Sequence, residues 1–141
     1  RLGDSFAVEK SADPVKPDAV RTFGMYVQGQ WYRLIYTGVL PDPANPTADL
    51  DVSVLTTRVL SPVLGIEDPR TDSRIDFVGG VRGMLELEKR VNSGDWAVAF
   101  SLYPTSVDQL IAVADANEIM PPKTTWFEPK LADGIVSLML D

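Results

Sequence analysis

Apolar and polar positions alternate through the first part of the chain. Ser5 to Glu9 carries Phe6 and Val8 on one face and predicts a short strand. Two aromatic-rich runs follow, Phe23 to Val27 and Trp31 to Tyr36, separated by Gln28-Gly29-Gln30. Such β-prone runs around a glycine turn predict a hairpin. Its second strand has Trp31, Arg33 and Ile35 on one face and Tyr32, Leu34 and Tyr36 on the other. Between the first strand and the hairpin, residues 10–21 hold two prolines and no periodicity, the pattern of a linker or flexible loop. Pro41, Pro43 and Pro46 then make an irregular connector.

Beyond that connector the period lengthens. Asp51 reads as a helix N-cap ahead of Val52, Leu55, Val59 and Leu60, with Pro62 kinking or breaking the helix and Gly65 ending it. An exposed charged loop follows to Ser73, since its Asp68-Pro69-Arg70 turn has little to bury. Arg74 to Val78 predicts a strand that runs through Gly79-Gly80 into a helix from Val81 to about Asn92. Val81, Met84, Leu85, Glu88 and Val91 mark the inner side of that helix, and Glu86 and Arg90 form a surface pair. Trp96 to Tyr103 alternates again, its heavy face made of Trp96, Val98, Phe100 and Leu102. Thr105 or Ser106 caps a last helix on Val107, Leu110, Ile111 and Ala114, with Asn117 as its left-handed end. Gly134 to Leu140 predicts a final strand. The order β, β, β, α, β, α, β, α, β implies an α+β two-layer sandwich, a mixed, mostly antiparallel sheet with helices on one face. A three-layer α/β arrangement is the alternative.

Composition narrows the chemistry. The 141 residues fit one domain, and no apolar run reaches the length of a spanning helix. Arg1 in place of a methionine, and the helix-tail look of Arg1-Leu2-Gly3, suggest a C-terminal piece of a larger protein. With neither cysteine nor histidine, the chain has no disulfide, no Cys/His zinc site, no thiol nucleophile and no Ser-His-Asp triad. Asp, Glu, Lys and Tyr remain for acid–base work. A net charge of −7 argues against nucleic acid or an anionic membrane as partner, because phosphate-backbone binding needs a dominant basic surface.

Candidate chemistry gathers between Met120 and Leu131. Pro121, Pro122 and Pro129 stiffen this stretch and exclude a regular helix, while Lys123, Thr124, Thr125, Glu128 and Lys130 stand beside Trp126 and Phe127. The plain reading is a connector whose aromatics plug the core. The alternative is an anion site: lysines supply point charge, hydroxyls supply directional donors, and a carboxylate such as Asp115 or Glu128 orients an ammonium or holds a metal ion. Gly79-Gly80 before a helix, close to Asp76 and Arg82, is a second and weaker anion cradle.

The run Pro104-Thr105-Ser106-Val107, then Val113-Ala114-Asp115-Ala116-Asn117-Glu118-Ile119-Met120-Pro121-Pro122-Lys123-Thr124-Thr125-Trp126-Phe127-Glu128-Pro129-Lys130-Leu131, resembles the C-terminal signature of the domain-of-unknown-function 1015 family (DUF 1015). Leu50 to Leu55 and Arg74 to Gly80 add weaker similarity upstream. Asn117 stands where that pattern usually has glycine, and Thr124 where it has serine. The resemblance implies a longer, cytoplasmic bacterial or archaeal protein. Its N-terminal part carries an Asp-Gly-His-His-Arg type motif, which this histidine-free chain lacks. It also implies a phosphorylated or carboxylated small ligand, with phosphotransfer or phosphate-ester chemistry linked to serine metabolism. On that reading Lys123, Thr124, Thr125, Lys130, Asp115, Glu128 and Arg82 bind the ligand, and the catalytic groups come mainly from the N-terminal part. A non-catalytic structural or interaction module is the other expectation.

Overall fold

In the computed structural model, residues 2–79 and 83–121 are described. A short 3-10 turn, Leu2–Asp4, leads into β1 (Phe6–Ser11), β2 (Thr22–Val27) and β3 (Gln30–Tyr36). The long helix α1 is α-helical over Asp51–Leu55, widens to π geometry over Thr56–Leu60 and returns to α over Ser61–Leu64. Then come α2 (Gly83–Asn92), β4 (Val98–Leu102) and α3 (Val107–Asp115). The four strands form one sheet in the order β1-β3-β2-β4, and every pair is antiparallel. This is the α+β architecture expected from the pattern.

The hairpin follows its turn chemistry. Gln28 (φ 51°) and Gly29 (φ 77°) both take left-handed backbone, which is the two-residue turn whose twist matches the flanking strands. Val27 then pairs with Gln30, and the register runs to Thr22 opposite Ile35. One face of the sheet carries Phe6, Phe23, Met25, Leu34 and Tyr36, which bury against Val54, Leu55, Val59 and Leu60 of α1 and against Ile66. Phe6 sits edge-on to Phe23 (centroids 5.8 Å apart) and to Tyr36 (5.5 Å). On β4, Val98, Phe100 and Leu102 share this side, as the alternation predicts.

The opposite face is closed differently. Tyr26 and Trp31 bury with Val15, and Met84, Leu87 and Val91 of α2 pack over them. Val15 belongs to residues 10–21, the stretch expected to be a linker. Lys10 and Ser11 in fact finish β1, and the rest is fastened to the sheet. Ser101 donates a buried 2.6 Å hydrogen bond to the Val15 carbonyl, which passes directly over Gly24. A Cβ at Gly24 would meet the Ser101 hydroxyl and lie 2.6 Å from that carbonyl oxygen, so only glycine fits there.

Four local expectations change. Asp51 is not the N-cap: Leu50 holds that position without a side-chain cap, and Asp51, the first helical residue, is buried for another purpose. Pro62 does not end its helix, because the ladder opens into a π turn just before a residue with no N–H to give. The stop is at Gly65 (φ 68°), as expected. Arg74 to Val78 is not a strand. The Asp72 carboxylate takes the Arg74 N–H at 2.9 Å and Asp76 takes the Phe77 N–H at 2.8 Å, and such local bonds compete with a β ladder. In α2 the inner side is Met84, Leu87, Glu88 and Val91, leaving Leu85 74% exposed, since Glu88 turns inward to accept from the Trp31 indole at 2.7 Å.

Replacing Gly24 by alanine forces either the 12–21 segment or Ser101 off the sheet. Urea unfolding is expected to show a loss of about 1–3 kcal/mol, typical of overpacking a close approach. Ser101→Ala, which removes the clashing hydroxyl, should recover part of that loss in the double variant.

Candidate functional site

Among the residues expected to bind a ligand, Arg82, Lys123, Thr124, Thr125, Glu128 and Lys130 lie outside the described residues, as do Trp126, Phe127 and the final strand. Asp115 is described: it is the last residue of α3 and is exposed. The helix that presents it is well specified. Ser106 accepts from the Gln109 N–H (3.1 Å) while the Gln109 side chain accepts from the Ser106 N–H (2.9 Å), a complete capping box. At the other end Asn117 takes φ 55°, Asn117 N–H donates to the Ala114 carbonyl (3.0 Å) and Glu118 N–H to the Val113 carbonyl (3.0 Å). That pair of bonds is a Schellman cap, the geometry a left-handed Asn supplies.

Directly after the cap, Glu118 accepts hydrogen bonds from both the backbone N–H (3.2 Å) and the hydroxyl of Thr47, in the connector before α1. The chain is therefore tied at two points before it reaches Met120 and Pro121. The inner face of α3 differs from expectation. Val113 is its buried residue, while Val107 is 70% and Ile111 51% exposed and Ala114 is also exposed. Two anchors at the C-terminal end, the cap and Glu118, set the rotation of the helix more firmly than its apolar stripe does.

The second expected cradle loses its premise. Gly79 is preceded by irregular chain and not by a strand, and Asp76 there accepts from Arg90 at 2.5 Å. Arg90 also reaches Glu86 at 3.2 Å, the surface pair predicted one helical turn apart.

Sequence reasoning missed a half-buried ionic cluster centred on Asp51. Arg21 has left-handed backbone (φ 64°) and gives its N–H to both carboxylate oxygens of Asp51 at 3.1 Å. Its guanidinium reaches Asp51 at 2.8 Å and the Asp49 carbonyl at 2.5 Å, and also pairs with the Asp49 carboxylate. Asp51 is only 7% exposed, and burial pushes its carboxyl up against the opposing pull of the Arg21 N–H and guanidinium. No short-range pattern links positions 21 and 51. The only available signal was an acid on the inward side of an otherwise apolar helix start.

Elsewhere the acids are coupled to arginines at the surface. Arg33 lowers the Asp18 carboxyl, Arg70 lowers that of Asp68, and Arg74 holds Asp72 down at about 2. Arg74 has a further task, donating to the Leu64 (3.4 Å) and Gly65 (2.8 Å) carbonyls at the end of α1. Among the described residues no three acids lie close enough together to hold a metal ion, and no helix is long and apolar enough to cross a membrane. A surface hollow of about 280 Å³ lies beside β1 and is lined by polar groups, including Lys10, Lys16 and Arg33. No family model, curated protein or solved structure matches this chain.

Two outcomes follow from these pairs. Asp51→Ala removes the acceptor of the Arg21 N–H and one of the guanidinium's two carboxylate partners, and should cost about 1–3 kcal/mol in denaturant unfolding. Asp72 has a folded value of about 2, below its ordinary 3.8, so its contribution is present above 3.8 and is lost as the pH falls toward 2. Asp72→Asn is accordingly expected to be less stable than the parent near neutrality, with the two unfolding midpoints converging across that acid window.

Proposed function

We propose that this chain binds a small phosphorylated or carboxylated molecule on the segment that follows α3, within a cytoplasmic protein of the kind its C-terminal signature resembles. Lys123 and Lys130 neutralise the anion, Thr124 and Thr125 donate hydroxyl hydrogen bonds, and Asp115 and Glu128 orient the ammonium groups. Arg82 adds positive charge. The reaction served is phosphotransfer or phosphate-ester chemistry connected with serine metabolism. This chain contributes positioning and charge neutralisation, and an N-terminal part of the same protein contributes most of the catalytic groups.

The supporting observation is the double anchorage at the end of α3. The Schellman cap at Asn117 and the Glu118–Thr47 bonds hold the chain just ahead of Met120, and a binding loop gains precision when it leaves a fixed support. A structural or interaction module is the second reading, with the signature loop as a core plug. The exposed Val107 and Ile111 on α3 favour it.

Thermal unfolding with phosphate, phosphoserine, serine, ATP, ADP or Mg²⁺ separates the two. A ligand at about 100 times its dissociation constant stabilises by about 2.7 kcal/mol. Lys123→Ala and Lys130→Ala should abolish that shift while leaving the unliganded protein nearly as stable. A loss of about 1–3 kcal/mol in both unliganded variants, with no ligand response in the parent, would instead establish the structural module.

A further inference from the structure

The sheet has two edges, and they differ. β1 carries Glu9 and Lys10, both exposed, and charged side chains blunt an edge against pairing. β4, at the other edge, reads Val-Ala-Phe-Ser-Leu, with no charge and no proline between Val98 and Leu102. Val98, Phe100 and Leu102 reach the first core yet stay half-buried, whereas Thr22 to Tyr26 of the neighbouring β2 are all buried.

Register decides which backbone groups of β4 face outward. The Tyr36 N–H donates to the Arg21 carbonyl, so Phe23, Met25 and Val27 also turn their backbone groups toward β3, and Gly24 and Tyr26 turn theirs toward β4. Gly24 stands opposite Ser101, and Tyr26 opposite Ala99. The N–H and C=O groups of Ala99 and Ser101 therefore face β2, and those of Val98, Phe100 and Leu102 face the open edge. Among the described residues no strand pairs with that edge.

We infer that residues 134–140 of this chain add to the β4 edge as a further strand. They lie outside the described residues and read Gly-Ile-Val-Ser-Leu-Met-Leu, uncharged and apolar on both faces apart from Ser137, which is the composition of a strand covered on two sides. Val136, Leu138 and Leu140 share one face of such a strand and extend the row of Val98, Phe100 and Leu102. Residues 122–133 make the connection. Extended, they span about 40 Å, more than the roughly 30 Å diameter of a small domain. A tethered segment also meets the edge at an effective concentration of about millimolar, ahead of a second copy or a separate protein. The inference concerns β4 and the last segment, and it stands with or without an anion on Lys123 and Lys130.

Amide hydrogen exchange of the full chain, read residue by residue in nitrogen–proton spectra, tests it. Val98, Phe100 and Leu102 are expected to exchange at least about a hundredfold more slowly than unprotected amides, and to show nuclear Overhauser contacts with residues 134–140. The double variant Ser137→Pro with Leu138→Pro removes an N–H toward β4 in either register. It should return those three amides to within about tenfold of the unprotected rate, while Ala99 and Ser101 keep their protection. Fast exchange at the three amides in the parent, or no Overhauser contact with residues 134–140, would overturn the inference. Protection that falls on dilution, the mark of a second copy on the edge, or that survives the two prolines overturns it as well. If the prolines unfold the protein, seen as lost protection at Ala99 and Ser101 too, the Overhauser contacts of the parent decide alone.

Discussion

Arg21 adopts a backbone conformation that costs a side chain with a Cβ roughly 1–2 kcal/mol, and it does so at the entrance to β2. The Asp51 carboxylate makes that conformation tolerable by taking the Arg21 N–H with both oxygens and the guanidinium with one. The Arg21 carbonyl meanwhile accepts from the Tyr36 N–H at 2.9 Å, so a single residue ties β2, β3 and the first turn of α1 together. This fixes where α1 begins over the sheet, and with it which side chains of α1 meet Phe6, Phe23 and Leu34. A hydrophobic face alone would tolerate a helix slid along it; a buried ion pair with two backbone-directed bonds does not. Burial makes ionised Asp51 costly, and that cost is the counterpart of the specificity.

The other face depends on close approach rather than on charge. Gly24 lets the Val15 carbonyl come down onto the sheet, Ser101 satisfies that carbonyl, and the segment so held covers Tyr26 and Trp31. Polar atoms at the rim of this second core are each answered from α2: the Trp31 indole by Glu88 and the Tyr26 hydroxyl by Asn92 at 3.0 Å. No buried side-chain nitrogen or oxygen among the described residues lacks a partner. Two chemically different closures therefore clamp one small antiparallel sheet.

Features encoded within a few residues could be read from the sequence. Gln28-Gly29 specifies its turn, Gly65 its helix stop, Ser106 with Gln109 a capping box, and Asn117 a left-handed cap, because each satisfies neighbouring backbone groups. Alternation on β4 identified its heavy face for the same reason. Features decided by side-chain partners that the apolar pattern does not encode were not legible. Arg74 to Val78 has strand-like residues, but Asp72 and Asp76 divert its N–H groups. Leu85 and Leu87 are equally apolar, and the packing of Met84, Leu87 and Val91, with the Trp31–Glu88 bond, turns Leu87 inward. The stripe on α3 loses to the anchors at its C-terminal end. Of the expected site, only Asp115 falls among the described residues.

Charge placement connects architecture to function. The arginines of the described residues, Arg58 apart, are spent on carboxylates or helix-end carbonyls, work that suits a planar fork with several donors. The lysines are not: among the described residues, Lys10, Lys16 and Lys89 form no ion pair with a carboxylate. Lysine is a compact, strongly hydrated charge that contributes little to an exposed pair, so leaving it unpaired costs the fold little and keeps the charge available to solution. Arginine therefore carries the polar cross-links of this fold, and the described lysines carry surface charge on which those cross-links do not depend.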